Sequence, residues 1–275
     1  MSKRKIILLS IIGLIIVLNI YMFGFVFRLK NQSVKVVGEN VLYSAEEIVS
    51  ASELKNGKSI FLLDKQQAID NIERKYADLK VIQIKTTNIN SIEIYVRARY
   101  ETYLVKNNGM FYILDEDLKV LEKTSNEDYV NTLNLVEIKT GLENFTESTQ
   151  KCDFIGNSVQ KDIFYNLYVS IHTNTTISKD LPTGTESHNT MREIINSVSV
   201  NSVGAKDGSK DSILTIETTD GIKFIIHNAN SNLVKKFDAC FQLMNDSSKI
   251  QDKTKGGIEL YTLDGTEASY KITQE

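Results

Sequence analysis

The sequence predicts an α+β protein in three parts. These are one N-terminal apolar helix, a small strand–helix–helix–strand–strand unit, and a larger, mostly antiparallel β unit with flanking helices. Three observations carry this. An uncharged apolar run occupies residues 6–27. Two helix-start signatures and two alternating strands fall within residues 33–99. Beyond residue 100, the dipeptides Asn108-Gly109, Asp220-Gly221 and Asp264-Gly265 stand out between strand-like segments.

The apolar run reads IILLSIIGLIIVLNIYMFGFVF. As a helix it would measure about 33 Å, enough for the hydrocarbon core of a bilayer. It is longer than a signal-peptide core, and it ends in Phe25, Val26 and Phe27 rather than in a small-residue cleavage site. The expectation is therefore an uncleaved transmembrane helix over 6–27. Lys3, Arg4 and Lys5 precede it, and Arg28 and Lys30 follow. That bias predicts a cytoplasmic tail at residues 1–5 and an extracytoplasmic remainder, spanning once.

Composition narrows the function classes. The 275 residues are 24% charged with a formal net charge of -3, which gives no basic footprint for nucleic acid. Two cysteines, Cys152 and Cys240, do not make a disulfide framework. Cys240 falls on the apolar face of a predicted helix and reads as a small core residue; a bridge to Cys152 would need the two α-carbons to meet.

In the first unit, residues 33–99, Val34–Val37 reads as a short strand. Ser44 and Glu47 form a capping box for a helix ending near Ser52. Gly57 can supply a left-handed turn. Asp64 and Gln67 form a second box, and Ala68, Ile69, Ile72 and Tyr76 mark one apolar helix face. LKVIQIKT places Ile82 and Ile84 on one side of a strand. SIEIYVRAR alternates Ile92, Ile94 and Val96 against Glu93, Tyr95 and Arg97.

The second unit covers residues 100–272. Asn108-Gly109, Asp220-Gly221 and Asp264-Gly265 are hairpin dipeptides that tolerate positive φ. Between the last two, Leu233, Phe237, Cys240 and Met244 recur at helical spacing, with Ser231 as the expected N-cap. Polar stretches near 143–157 and 173–189 fit neither period and read as loops or insertions.

Site chemistry is sparse. Gly57-Lys58-Ser59 lacks the upstream glycine of a phosphate loop. Leu181-Pro182-Thr183-Gly184 lacks both the extra residue and the apolar tail of a sorting signal. His172, His188 and His227 show no metal-ligand spacing, and His227 is expected on the solvent face of a strand. No nucleophile with a base stands out. The expectation is a protein that is not an enzyme and uses no cofactor, metal or small-molecule substrate.

The ordered set VKVVGEN, YSAEEI, LKNGKSIFLLD and LKVIQIKTTNINSIEIYVRAR resembles the POTRA domain of the FtsQ/DivIB cell-division family. LNLVEIKTGLEN, EIINSVSVNS and GGIELYTLDG continue the resemblance in the same order. The family's prolines near Ala77 and Ile89 are missing, and Ala98-Arg99 stands where the family has Glu-Arg. The resemblance implies a division scaffold in the plasma membrane, at the septum. Its implied partners are single-pass coiled-coil proteins of the FtsL and DivIC/FtsB type, and membrane-embedded proteins. It also implies a partner-binding stretch at Ile258, Leu260, Tyr261, Thr262, Leu263, Asp264 and Gly265; strand addition to an exposed last strand is the physical mode expected of it, the alternative being that these residues simply close the sheet. Two alternatives stand beside it: a POTRA protein of export or spore-envelope assembly, and an extracytoplasmic enzyme whose groups converge from distant positions.

Overall fold

The computed structural model describes residues 3–173, 191–204, 210–264 and 267–274. The chain divides into two compact units, Met1–Arg99 and Tyr100–Glu275.

The first unit opens with helix α1, Lys3–Tyr21, which passes into a π-helical turn at Met22–Val26. Among the described residues no helix is long and apolar enough to cross a membrane. Strand β1 (Asn31–Val36), helices α2 (Ala45–Ala51) and α3 (Lys65–Lys75), and strands β2 (Leu79–Asn88) and β3 (Ser91–Ala98) follow. The sheet order is β1-β3-β2, with β1 parallel and β2 antiparallel to β3.

Local chemistry explains these elements. Ser44 Oγ accepts the Glu47 amide at 3.3 Å, and Glu47 Oε2 accepts the Ser44 amide at 2.8 Å, so two orphan donors of α2 are satisfied. Asp64 Oδ1 accepts the Gln67 amide at 2.9 Å and starts α3. One face of each helix then packs on the sheet: Ile48, Ala68 and Ile72 meet Leu79, Ile92, Ile94 and Val96. The alternation expected of β3 is complete. That of β2 is not, because the pairing register shifts between Val81 and Gln83. Ile82 is the extra residue of this bulge and is 44% exposed, while Ile84 returns to the core.

The second unit is one nine-stranded sheet in the order β12-β11-β10-β9-β8-β7-β4-β5-β6. Its strands are β4 (Tyr103–Asn107), β5 (Met110–Leu114), β6 (Val120–Thr124), β7 (Val136–Thr140), β8 (Ile195–Gly204), β9 (Lys210–Thr218), β10 (Lys223–Ile226), β11 (Gly257–Asp264) and β12 (Glu267–Thr273). The junctions β10–β11, β7–β8 and β4–β7 are parallel and the rest antiparallel. Parallel neighbours need long crossovers. Helix α5 (Ser158–Thr173) lies in the β7–β8 connection, and helix α7 (Leu233–Asn245) lies between β10 and β11. Ile163, Phe164, Leu167 and Ile171 of α5 join Phe237, Cys240 and Met244 of α7 in one core over the sheet. Two short helices, α4 (Glu127–Thr132) and α6 (Met191–Ile194), complete the unit. Val130 of α4 covers Leu104 and Ile113 in a smaller cluster.

Asn108 and Gly109 both have positive φ, 49° and 76°, as their hairpin requires. The Asp220-Gly221 hairpin forms, but with a wider turn. Gly221 N donates to Thr218 O, and only Gly221 is left-handed, at 111°. The N-cap of α7 is Asn232 rather than Ser231, at φ 54°; its αL backbone, not a side-chain cap, turns the chain into the helix. Cys152 and Cys240 are not joined, and burial pushes the Cys240 thiol up to about 12. The first polar stretch is a loop, and its Phe154 forms an isolated antiparallel bridge with Lys119. The second, with Leu181–Gly184 and His188, lies outside the described residues.

Candidate interaction surface

The C-terminal strand pair ends the sheet. β11 is bonded to β10 from Gly257 to Leu260 and to β12 along Gly257–Asp264. β10 stops at Ile226, with His227 N donating to Leu260 O at 2.9 Å, so the β11–β12 pair continues past its neighbour. Among the described residues, no strand pairs with the outer edge of β12.

The structure splits the seven implied contact residues. Ile258 and Leu260 are fully buried and belong to the core. Tyr261 and Thr262 are exposed. Leu263 and Asp264 sit opposite Ala268 and Glu267 in the strand register, and Gly265 lies outside the described residues. The open edge is β12 itself, one strand beyond the stretch that the resemblance implies.

Beside this strand pair lies a polar group of atoms that sequence reasoning missed. His227 Nδ1 is 3.1 Å from Asp211 Oδ2, and Nε2 is 3.0 Å from Glu259 Oε1. The imidazole lies on the face of the sheet opposite Phe224 and Ile226, as expected, but is clasped there between two carboxylates, with its side chain 21% exposed. A neutral imidazole offers one N–H, so both contacts are hydrogen bonds only when both nitrogens carry hydrogen. The His227 interaction, then the Tyr261 hydroxyl, hold the Glu259 carboxyl below the usual range. The register shift between Leu260 and Thr262 makes Tyr261 a bulge residue, and its ring stacks on His227 at 4.9 Å. Lys236, buried on α7, donates to His227 O at 2.9 Å and Asn228 O at 2.7 Å and pins the end of β10. The two ring nitrogens face opposite sides, so this is a clasp rather than a single ligand set for a metal. No local signal announces it: its acids lie 16 and 32 residues from the histidine.

Other polar groups have structural explanations. Asp115, Glu116 and Asp117 bring their carboxylates within 4.8 Å. Asp115 Oδ1 accepts the amides of Asp117 and Lys119, which makes this a turn. A polar cleft of about 240 Å³ in the first unit is lined by Ser52, Lys58, Asp64 and Asn71, among others. Its one hydroxyl, Ser52, donates to Val49 O at 2.7 Å and accepts the Leu54 amide at 3.2 Å. The Gly57-Lys58-Ser59 loop exchanges backbone bonds with Leu29. His172 Nδ1 donates to Tyr168 O of its own helix at 2.8 Å, and burial lowers its pKa.

Residues 29–99 match the family model described as POTRA domain, FtsQ-type. The chain is 27% identical over 137 residues to the cell division protein DivIB of Clostridium tetani (strain Massachusetts / E88), covering 50% of each chain. It is 30% identical over 104 residues to DivIB of Clostridium botulinum (strain Hall), covering 38% of this chain and 40% of that one. It is 28% identical over 104 residues to DivIB of Clostridium acetobutylicum, covering 37% and 41%. The chain thus matches half or less of the length of these curated relatives. Residues 29–99 are a POTRA domain of the FtsQ type, and the chain is a relative of the FtsQ/DivIB cell-division proteins.

Proposed function

We propose that this protein is a non-enzymatic, single-pass membrane scaffold of the bacterial division complex, and that it recruits septal partners by strand addition at β12. The observation that carries the reading is the open edge of a nine-stranded sheet, running from Glu267 to Thr273 with Ser269, Tyr270 and Lys271 exposed. An unpaired row of amides and carbonyls is a template for an incoming strand. The similarity to DivIB proteins supports the division setting. The partners that fit it are single-pass coiled-coil proteins of the FtsL and DivIC/FtsB type. An anchor at residues 6–27 is part of the proposal. It is supported by the uncharged run and by Leu14, Val17 and Ile20 of α1, which are 63%, 63% and 64% exposed and would suit lipid.

The test is photo-crosslinking in cells from Thr262 and from Ser269, with the adducts identified by mass spectrometry. Small coiled-coil division proteins as the main adducts from both positions support the proposal. Adducts to export or spore-envelope proteins overturn its division role, and no adduct from Ser269 overturns the β12 edge as the docking site.

A further inference from the structure

The POTRA domain carries exposed apolar side chains at both of its poles, and its topology separates them. Because β1 runs parallel to β3, the start of β1 lies beside the start of β3, with Asn31 opposite Ser91. The β2–β3 turn is therefore at the pole where the chain leaves the apolar segment; Asn90 O accepts the amides of both Lys30 and Asn31. The connection between α2 and α3 is at the same pole. Ile60 N donates to Phe27 O at 2.7 Å, Leu29 N to Lys58 O at 2.8 Å, and Gly57 N to Leu29 O at 2.8 Å. The short 3-10 turn Ile60–Leu62 buries Ile60 and turns its other two side chains out. Phe61 is 62% exposed with its ring edge-on to Phe27 at 5.1 Å, and Leu62 is 81% exposed. Ile89, in the β2–β3 turn, is 53% exposed.

Three large apolar side chains on two loops thus surround the point where the domain meets the end of the apolar run. Arg28, Lys30 and Lys58 are exposed among them, and Arg28 lies over the Phe25 ring at 4.9 Å. Aromatic and aliphatic residues ringed by cations suit the interface of a bilayer carrying anionic lipid. We infer that Phe61, Leu62 and Ile89 dip into the outer interface of the bilayer that residues 6–27 enter, giving the POTRA domain a second membrane contact that fixes its tilt. The inference rests on the anchor proposed above, since it is continuity with that segment that selects lipid as the occupant. The opposite pole supplies an internal comparison. Leu42, beyond the far end of β1, is 82% exposed, yet lies about 20 Å from the anchor end at about 3.3 Å per strand residue.

The experiment uses the purified full-length chain in vesicles of zwitterionic and anionic phospholipid. In a Cys152→Ser background, single cysteines at Leu62→Cys, Leu42→Cys and Ile16→Cys carry an environment-sensitive fluorophore. Cys240 is fully buried and stays unlabelled. Lipids bearing a nitroxide near the headgroup or deep in the chain then quench what they touch. The expected result is loss of fluorescence at 62 with the shallow quencher, loss at 16 with the deep one, and no loss at 42. Quenching at 16 without quenching at 62 overturns the inference and leaves the anchor standing. No quenching at 16 overturns the anchor, and the inference with it. Equal quenching at 42 and 62 overturns the oriented contact, because it would mean non-specific adhesion of the domain. Only lipid is present in this system, so a partner's transmembrane helix cannot produce the signal.

Discussion

Arg99 Nη2 donates to Glu73 Oε2 at 2.7 Å, and their side chains are 2% and 12% exposed. The pair ties the last residue of the POTRA domain to α3. Both partners are further satisfied: Glu73 Oε1 accepts the Val81 amide at 2.9 Å, and Arg99 Nε donates to Leu79 O at 3.1 Å. Removing one member leaves the other buried and charged, at a cost of about 3–5 kcal/mol. Glu73→Ala is therefore expected to abolish protection of β2 and β3 in hydrogen-exchange mass spectrometry. Glu73→Gln, which can still accept from Val81, should cost less. Unchanged protection in Glu73→Ala would show that the pair is not structural.

Glu217, on the face of the sheet away from α5 and α7, binds Lys139 and Ser197, with Lys223 at 3.4 Å. The Lys139 and Ser197 bonds lower its carboxyl to about 2 from the usual 4.5. A depressed folded-state value means that the stabilisation is fully present above about 4.5 and fades as pH falls towards 2. The urea midpoint of the β unit should drop across that window. In Glu217→Gln it should start lower and stay flatter there. Parallel curves for the two proteins would count against this.

The His227 clasp predicts a local effect at the candidate edge. His227→Leu removes both ring contacts and leaves Asp211 and Glu259 without that partner. Amides of Gly257–Asp264 are expected to exchange on the order of tenfold faster, equivalent to about 1.4 kcal/mol, while the core of α7 is unchanged. Equal acceleration across the whole unit would point to global destabilisation instead.

Gly141 follows β7 at φ 94°, and a Cβ there would fall 1.6 Å from Val200 O on β8. No side-chain movement can relieve a clash with backbone. Gly141→Ala should cost more than about 3 kcal/mol and part β7 from β8. A thermal midpoint equal to that of the unaltered protein would disprove the close approach.

Much of the POTRA domain is legible in sequence because its signals are local. Ser44 with Glu47, and the strict alternation of Ile92, Ile94 and Val96, each specify an element within a few residues. The bulge at Ile82 is not legible, since it arises from pairing with β3. In the β unit, Asn108-Gly109 and Asp220-Gly221 mark hairpins, but the start signal of α5, Asn157 with Gln160, is hidden at the end of the polar stretch that precedes its apolar residues Ile163, Phe164, Leu167 and Ile171. The parallel junctions are equally silent, because crossover partners are chosen across the sheet. Which strand lies outermost is silent for the same reason: the pattern of Ile258 and Leu260 records burial, and only the sheet order places β12 beyond β11. The His227 clasp draws on three strands and becomes visible only when β9, β10 and β11 are aligned.

The parallel pairing of β1 with β3 also decides how the POTRA domain bears load. Tension between residue 29 and residue 99 pulls the start of β1 and the end of β3 towards opposite poles. The six paired positions from Asn31–Ser91 to Val36–Val96 are then loaded together, in shear, rather than opened one after another as in a hairpin pulled from its ends. A domain loaded this way acts as a stiff link. It passes mechanical force along the chain before it yields.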